Sequence, residues 1–150
     1  MDDIESYRSG LVPKWIRVFS WIFLVAGVLA PLILVVGLFY KKPMQFGVYG
    51  WSRAGSPYEP LSLLVIAYFV LSGLAAFGLL KGKRWGWNLA FLIGAIGLVL
   101  SLTSPFAAPP GNLRLPLEPI ALLPFLVVLW RIHDRWHTAP KPKLDDTAAA

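Results

Sequence analysis

Three stretches of this chain carry no charged side chain: Val18 to Tyr40, Pro60 to Leu80 and Trp85 to Leu113. The first is 23 residues long, which as a helix rising about 1.5 Å per residue reaches roughly 34 Å, against a bilayer hydrocarbon core of about 30 Å. A domain of 150 residues has too small an interior to bury three such helices on every side. The composition agrees: 57% of residues are hydrophobic and 15% charged, where globular proteins carry about 25% charged residues. The sequence therefore predicts an all-α membrane protein with four transmembrane helices, at about 15–40, 61–80, 85–102 and 115–131. These form a single domain over 1–137, with a disordered tail at 138–150.

The fourth span is the short one. Sixteen residues separate Arg114 from Arg131, and Glu118, Pro119 and Pro124 fall among them. It crosses if Arg131 snorkels and the bilayer thins; a re-entrant segment is the alternative. Pro31, in mid-span, predicts a kink in the first helix near Gly27. Gly10 and Pro13 predict no regular element before Lys14. The stretch 44–51 reads as a short strand or an interfacial segment, and Ser52 to Pro60 as turn. Ser104 to Pro116, with four prolines, reads as a stiff irregular connection.

Charge orients the spans. Arg8, Lys14, Arg17, Lys81, Lys83, Arg84, Arg131, Arg135, Lys141 and Lys143 fall on one side of a four-span arrangement, and only Lys41, Lys42, Arg53 and Arg114 on the other. The positive-inside rule then puts both termini in the cytoplasm of a cell, here read as bacterial, with the chain multi-pass in the inner membrane. The first span is too long for the apolar segment of a cleavable signal and reads as a retained anchor. The net charge of +6 needs no nucleic acid, because juxtamembrane cations facing anionic lipid account for it. There is no cysteine, which removes thiolate chemistry and disulfides.

Pro57-Tyr58-Glu59-Pro60 before the second span is echoed by Pro116-Leu117-Glu118-Pro119 before the fourth, and Lys14-Trp15 by Arg84-Trp85 before the odd ones. The echo suggests a duplicated two-helix hairpin. Glu59 and Glu118 read either as charges at helix starts, with Pro60 and Pro119 suited to the first turn, or as outer-mouth carboxylates able to bind a cation. His133 and His137 have the i, i+4 spacing of a metal-chelating pair, but Asp134 stands where the His-Glu-x-x-His zinc motif has its glutamate and no third ligand is evident. They read first as interfacial residues. Phe46, Tyr49, Trp51, Arg53 and Tyr58 have the residue types of a recognition surface and equally of an interface belt.

Small residues recur at helical spacing: Ala26, Ala30 and Gly37 on the first span, Ser72, Ala75 and Ala76 on the second, Ala90, Gly94, Gly97 and Ser101 on the third. Such stripes let helix backbones approach closely. No Asp, Glu, Lys, Arg or His lies in the middle of a span, and ion-coupled transporters and intramembrane hydrolases need such groups. The expectation is a non-enzymatic protein without cofactor. It would bind membrane lipids and a protein partner or its own copies, in an accessory or immunity-type role. An oligomeric channel or carrier for an uncharged solute, and a lipid-binding protein with a lateral groove, are the alternatives. No motif is specific enough to assign a family.

Overall fold

The computed structural model describes residues 2–39, 44–48, 51–107 and 118–138, and at Phe46, Trp51, Arg53 and Glu118 the backbone alone. Six helices and one hairpin follow in order: α1 (Asp2–Leu11), α2 (Lys14–Leu29), α3 (Leu32–Phe39), β1 (Met44–Val48), β2 (Trp51–Gly55), α4 (Pro60–Leu80), α5 (Arg84–Ala107) and α6 (Glu118–His137). Three continuous stretches are long and apolar enough to cross a membrane: Lys14–Gly37, Pro60–Leu80 and Arg84–Thr103. That is compatible with a multi-pass membrane protein.

The distribution of side chains is the reverse of a water-soluble fold. Small residues are inside, among them Ser72, Ala75, Ala76 and Ala90, while Val28, Leu64, Val99 and Trp130 face outward. Burying leucine earns nothing when the solvent is hydrocarbon, so packing is decided by how closely backbones can approach. Away from the turn between α4 and α5, where Gly78 and Gly86 also meet backbone to backbone, α2 and α4 cross closely. A Cβ added at Gly27 would lie 2.7 Å from the Gly73 Cα and 2.8 Å from the Phe69 carbonyl oxygen. Only two glycines let these helices touch backbone to backbone.

The helices line up in chain order, α2 on α4, α4 on α5, α5 on α6. Across the other seams one polar side chain reaches a backbone carbonyl of the next helix. The Tyr68 hydroxyl of α4 donates to Ile93 O of α5 at 3.2 Å, and the Trp87 indole N–H of α5 donates to Leu129 O of α6 at 2.8 Å. α6 runs antiparallel to α5, so its last turn lies beside Trp87 at the end where α4 turns into α5. We call this the charged end, since it gathers α1, the start of α2 and the turn Lys81–Lys83.

Several sequence expectations change. Pro31 does not kink the helix at Gly27; it breaks it at Ala30–Pro31, where tight i to i+3 bonds (Ile33 N–H to Ala30 O, Leu34 N–H to Pro31 O) carry the chain into α3. The missing proline N–H removes the bond there, and Gly27 serves the crossing instead. Residues 2–11 are helical despite Gly10. Glu5 lies in the first turns, toward the positive end of the helix dipole, and Leu11 packs against the buried cluster. Ser52 to Gly55 is not turn but the second strand of an antiparallel hairpin, with Val48 paired to Trp51 and Met44 to Gly55. The third helix runs to Ala107, past the expected 102, and the last begins at Glu118 and continues through His137 rather than ending at 131. The expected tail from 139 onward, Lys41 and Lys42 lie outside the described residues.

Gly82 joins α4 to α5 with φ +65°, a left-handed conformation that favours glycine, and a Cβ there would run into the Glu5 backbone of α1. α1 thus lies directly on this turn, fixed by the Lys83–Glu5 ion pair at 2.7 Å. Arg8 Nε donates at 2.7 Å to the Trp136 carbonyl, one of the last-turn acceptors α6 cannot satisfy itself.

Replacing Gly27 by leucine should force α2 and α4 apart and cost about 1–3 kcal/mol. Gly10→Ala, where an added Cβ meets nothing within 4 Å, should be neutral or gain up to about 1 kcal/mol. Reversible unfolding in mixed micelles measures both; equal effects would mean that the Gly27–Gly73 approach does not hold the pair.

Candidate functional site

Ser56, Tyr58 and Glu59 form the turn that leads into α4. Pro60 takes the first helical position, and Leu63 N–H bonds to Glu59 O at 3.0 Å. The Glu59 carboxylate does not cap the helix: its Oε1 accepts the Ser56 N–H at 3.1 Å, closing the turn that precedes it. Tyr58 is half exposed, and its hydroxyl donates to Leu34 O at 2.6 Å, tying this turn to α3. Glu118 opens α6 as Glu59 precedes α4. Of the loop aromatics, Tyr49 lies outside the described residues. Phe46, Trp51 and Arg53 are placed on the two hairpin strands, where Phe46 pairs with Arg53.

His133 and His137 do come together on α6, with ring centroids 4.4 Å apart. They join an aromatic cluster rather than an assembled ligand set. The Trp87 ring lies 4.5 Å from His133 and 5.3 Å from His137, and Phe91 stacks on Trp87 at 5.2 Å. His137 Nδ1 lies 3.0 Å from the His133 carbonyl oxygen. Among the described residues no three His, Asp or Glu side chains gather. The arrangement locks the end of α6 against α5 through ring contact, and Trp87 links both halves by its bond to Leu129 O.

The small residues divide into two uses. Ala30 packs with Ile66 between α2 and α4, beside Leu34 and Phe69. Ala26 is half buried, and Gly37 lies against Pro57, so neither repeats the Gly27 approach. Gly97 and Ser101 are buried on α5. Ser72, Ala75, Ala76, Ala90 and Gly94 are also buried, yet they face a cavity as well as a helix. They floor an apolar groove of about 180 Å³. Its walls are Phe19 and Phe23 on α2 and Ala121, Leu122 and Phe125 on α6.

This groove follows from the row of helices. Near the charged end the start of α2 and the end of α6 are drawn together, because Val12 and Ile16 share a buried cluster with Leu129 and Trp136. Farther along, α2 and α6 stand on either side of a floor made mostly of small side chains of α4 and α5, with Leu79 and Ile93 among them. Two hydroxyls, of Ser20 and Ser72, lie among the lining. That of Ser72 is spent on the Tyr68 carbonyl at 2.7 Å, which leaves a surface suited to hydrocarbon rather than to a polar solute. Of the stripe positions, Ala30, Ser72, Ala75, Ala76, Ala90, Gly94, Gly97 and Ser101 are buried and Ala26 and Gly37 half-buried, and spacing alone did not show that α2 and α6 would leave part of the stripe open.

Trp87→Phe keeps the stack on Phe91 and removes the bond to Leu129 O, so it should lower unfolding stability by about 1 kcal/mol. Trp87→Leu, which also removes the ring contacts with both histidines, should cost more. Equal losses would mean that the ring contacts add nothing beyond the indole N–H bond. Comparison with protein-family models, curated proteins and solved structures finds no match to this chain.

Proposed function

We propose that this is a non-enzymatic multi-pass membrane protein that works by binding, holding an apolar chain from the bilayer in the groove between α2 and α6. The observation that carries this reading is the lining, in which small residues form the floor and aromatic and aliphatic ones the walls. An apolar cavity of about 150 Å³ accepts one aromatic ring. The groove, at about 180 Å³, therefore suits a length of acyl chain or one inserted side chain, and is too small for the backbone of a partner helix. A lipid chain fits it lengthwise. A partner protein, with an accessory role, would reach it only through a single side chain.

The proposal includes four crossings with both termini cytoplasmic. The antiparallel course of α6 beside α5 supports the fourth, and so does Arg8 reaching the last turn of α6 from α1. A 20-residue helix spans roughly 30 Å, with its charged last turns left at the interface. Arg8, Lys14, Arg17, Lys81, Lys83, Arg84, Arg131 and Arg135 all belong to elements of the charged end, which supports placing that end inside. A duplicated hairpin is part of the same reading, supported by Pro60 and Pro119 each lying in a first helical turn.

The cysteine-free chain allows single-cysteine labelling. With an impermeant maleimide on intact cells, Ser56→Cys should react, while Ser6→Cys and Thr138→Cys should react only after permeabilisation. Labelling of Thr138→Cys from outside would make α6 re-entrant.

Ala121 lines the groove yet is exposed at its rim, so Ala121→Phe should fill the space without disturbing the bundle. Photocrosslinking with a phospholipid carrying a diazirine in its chain should label wild type on α2 and α6, and label Ala121→Phe several-fold less. Undiminished labelling would remove the groove as the lipid site, and adducts to another protein in native membranes would point to the partner instead.

A further inference from the structure

On the opposite side of the α2–α4 pair lies a second cavity, of about 400 Å³, lined by Ser9, Arg17, Trp21, Leu24, Phe77, Leu80 and Lys81. These residues are ordered by polarity along both helices. On α2, Arg17, Trp21 and Leu24 follow one another on one side at i, i+4 and i+7, running inward from the charged end. On α4, which runs the other way, Lys81, Leu80 and Phe77 make the same progression. Each helix offers a cation at the level of its end and apolar surface below it, over roughly 10 Å of rise on α2. No carboxylate is among the seven lining residues, and Glu5, the nearest acid of α1 in sequence, is held by Lys83.

Arg17 is set in place from α1: one of its Nη2 donors bonds to the Ser9 carbonyl at 3.0 Å. A guanidinium has five N–H donors, so those not turned to Ser9 remain to bind oxygen. Trp21 stands between cation and hydrocarbon, where an indole prefers to sit.

We infer that this cavity binds one anionic glycerophospholipid of the leaflet at the charged end, its phosphate between Arg17 and Lys81 and a chain along Trp21, Leu24 and Phe77. The charge complementarity selects the occupant. A zwitterionic lipid would bring its own ammonium to two cations, whereas a headgroup with net negative charge gains from both. The inference rests on the membrane reading but not on the groove between α2 and α6, which has no charged residue in its lining and lies on the other side of α2.

The test is lipid binding to the purified full chain in detergent, read by native mass spectrometry. Phosphatidylglycerol is compared with phosphatidylcholine of the same chains. Wild type should prefer phosphatidylglycerol. Lys81→Gln should weaken its binding about fivefold, the value of about 1 kcal/mol per basic residue near an anionic lipid surface, and leave phosphatidylcholine binding unchanged. Lys81→Arg should restore the preference. Lys14→Gln removes an exposed cation of the same end that does not line the cavity and should change nothing. Lys81 is exposed and makes no ion pair among the described residues, so folding is not at risk in its variants. Equal affinity of wild type for the two lipids overturns the proposal. So does retained preference in Lys81→Gln, or an equal loss in Lys14→Gln, which would make the attraction a diffuse property of the basic end. Failure to retain either lipid would count against the membrane reading itself.

Discussion

Everything in this fold depends on two glycines that face each other. Gly27 and Gly73 bring the backbones of α2 and α4 so close that no Cβ fits between them. In water that would be an odd place to concentrate a contact, because large apolar side chains would gain more by burial. In hydrocarbon the large side chains are already solvated, and only dispersion between closely packed atoms and a few polar bonds distinguish the folded bundle from separated helices. The same constraint explains why alanine, serine and glycine occupy so much of the interior beside the larger cluster of Ile16, Leu79, Leu129 and Trp136, while many valines and leucines face out.

The polar bonds then take on a division of labour. Tyr68 ties α4 to α5, Trp87 ties α5 to α6, and Tyr58 ties the loop to α3, each by a hydroxyl or indole N–H reaching a main-chain carbonyl. These donors belong to aromatic side chains, which bring their own apolar surface and so desolvate little else. α1 supplies the remaining ties. Its Glu5 meets Lys83 and its Arg8 meets the last turn of α6, so an outlying helix couples the middle of the row to its far edge. The ion pair is partly exposed and contributes little by itself. Its role is to seat α1 on the turn at Gly82, from which Arg8 can reach.

The parts legible in the sequence were those where hydrocarbon leaves no choice. Uncharged runs marked the three long apolar helices, the four-residue turn fixed α4 against α5, and the prolines before α4 and in α6 marked first turns. What was misread shares one cause. A helix apolar on all sides gives no period from which to choose its packed face, so Ala26 and Gly37 were selected on the first span beside the buried Ala30, where Gly27 makes the crossing. Pro31 was expected to bend the helix a turn earlier, at that same glycine, when the lost N–H acts where it is missing. α1 was not expected because Gly10 and Pro13 read as breakers, whereas Leu11 against the buried cluster and Glu5 on Lys83 hold it in place. At the candidate sites, the histidine spacing correctly placed two rings together, but their partner Trp87 lies 46 and 50 positions away in the chain, and no local pattern carries that.

The groove is the consequence of how unevenly these ties are distributed along the row. α2 and α6 are drawn together at the charged end through Val12, Ile16, Leu129 and Trp136. Toward the other end α2 follows its glycine contact with α4, and α6 follows α5, where Phe125 and Leu126 rest against Gly94. Each flanking helix therefore tracks its own neighbour, and the groove lies between them. Filling the groove from its floor would require large side chains at Ala75, Ala76 or Ala90, and size at those positions would also push apart the helices that the small residues hold close. The open floor and the tight seams thus come from the same residues. In a bilayer, a bundle packed this way would take a lipid chain or a neighbour's side chain into its groove, because an empty space there forfeits contacts on every wall.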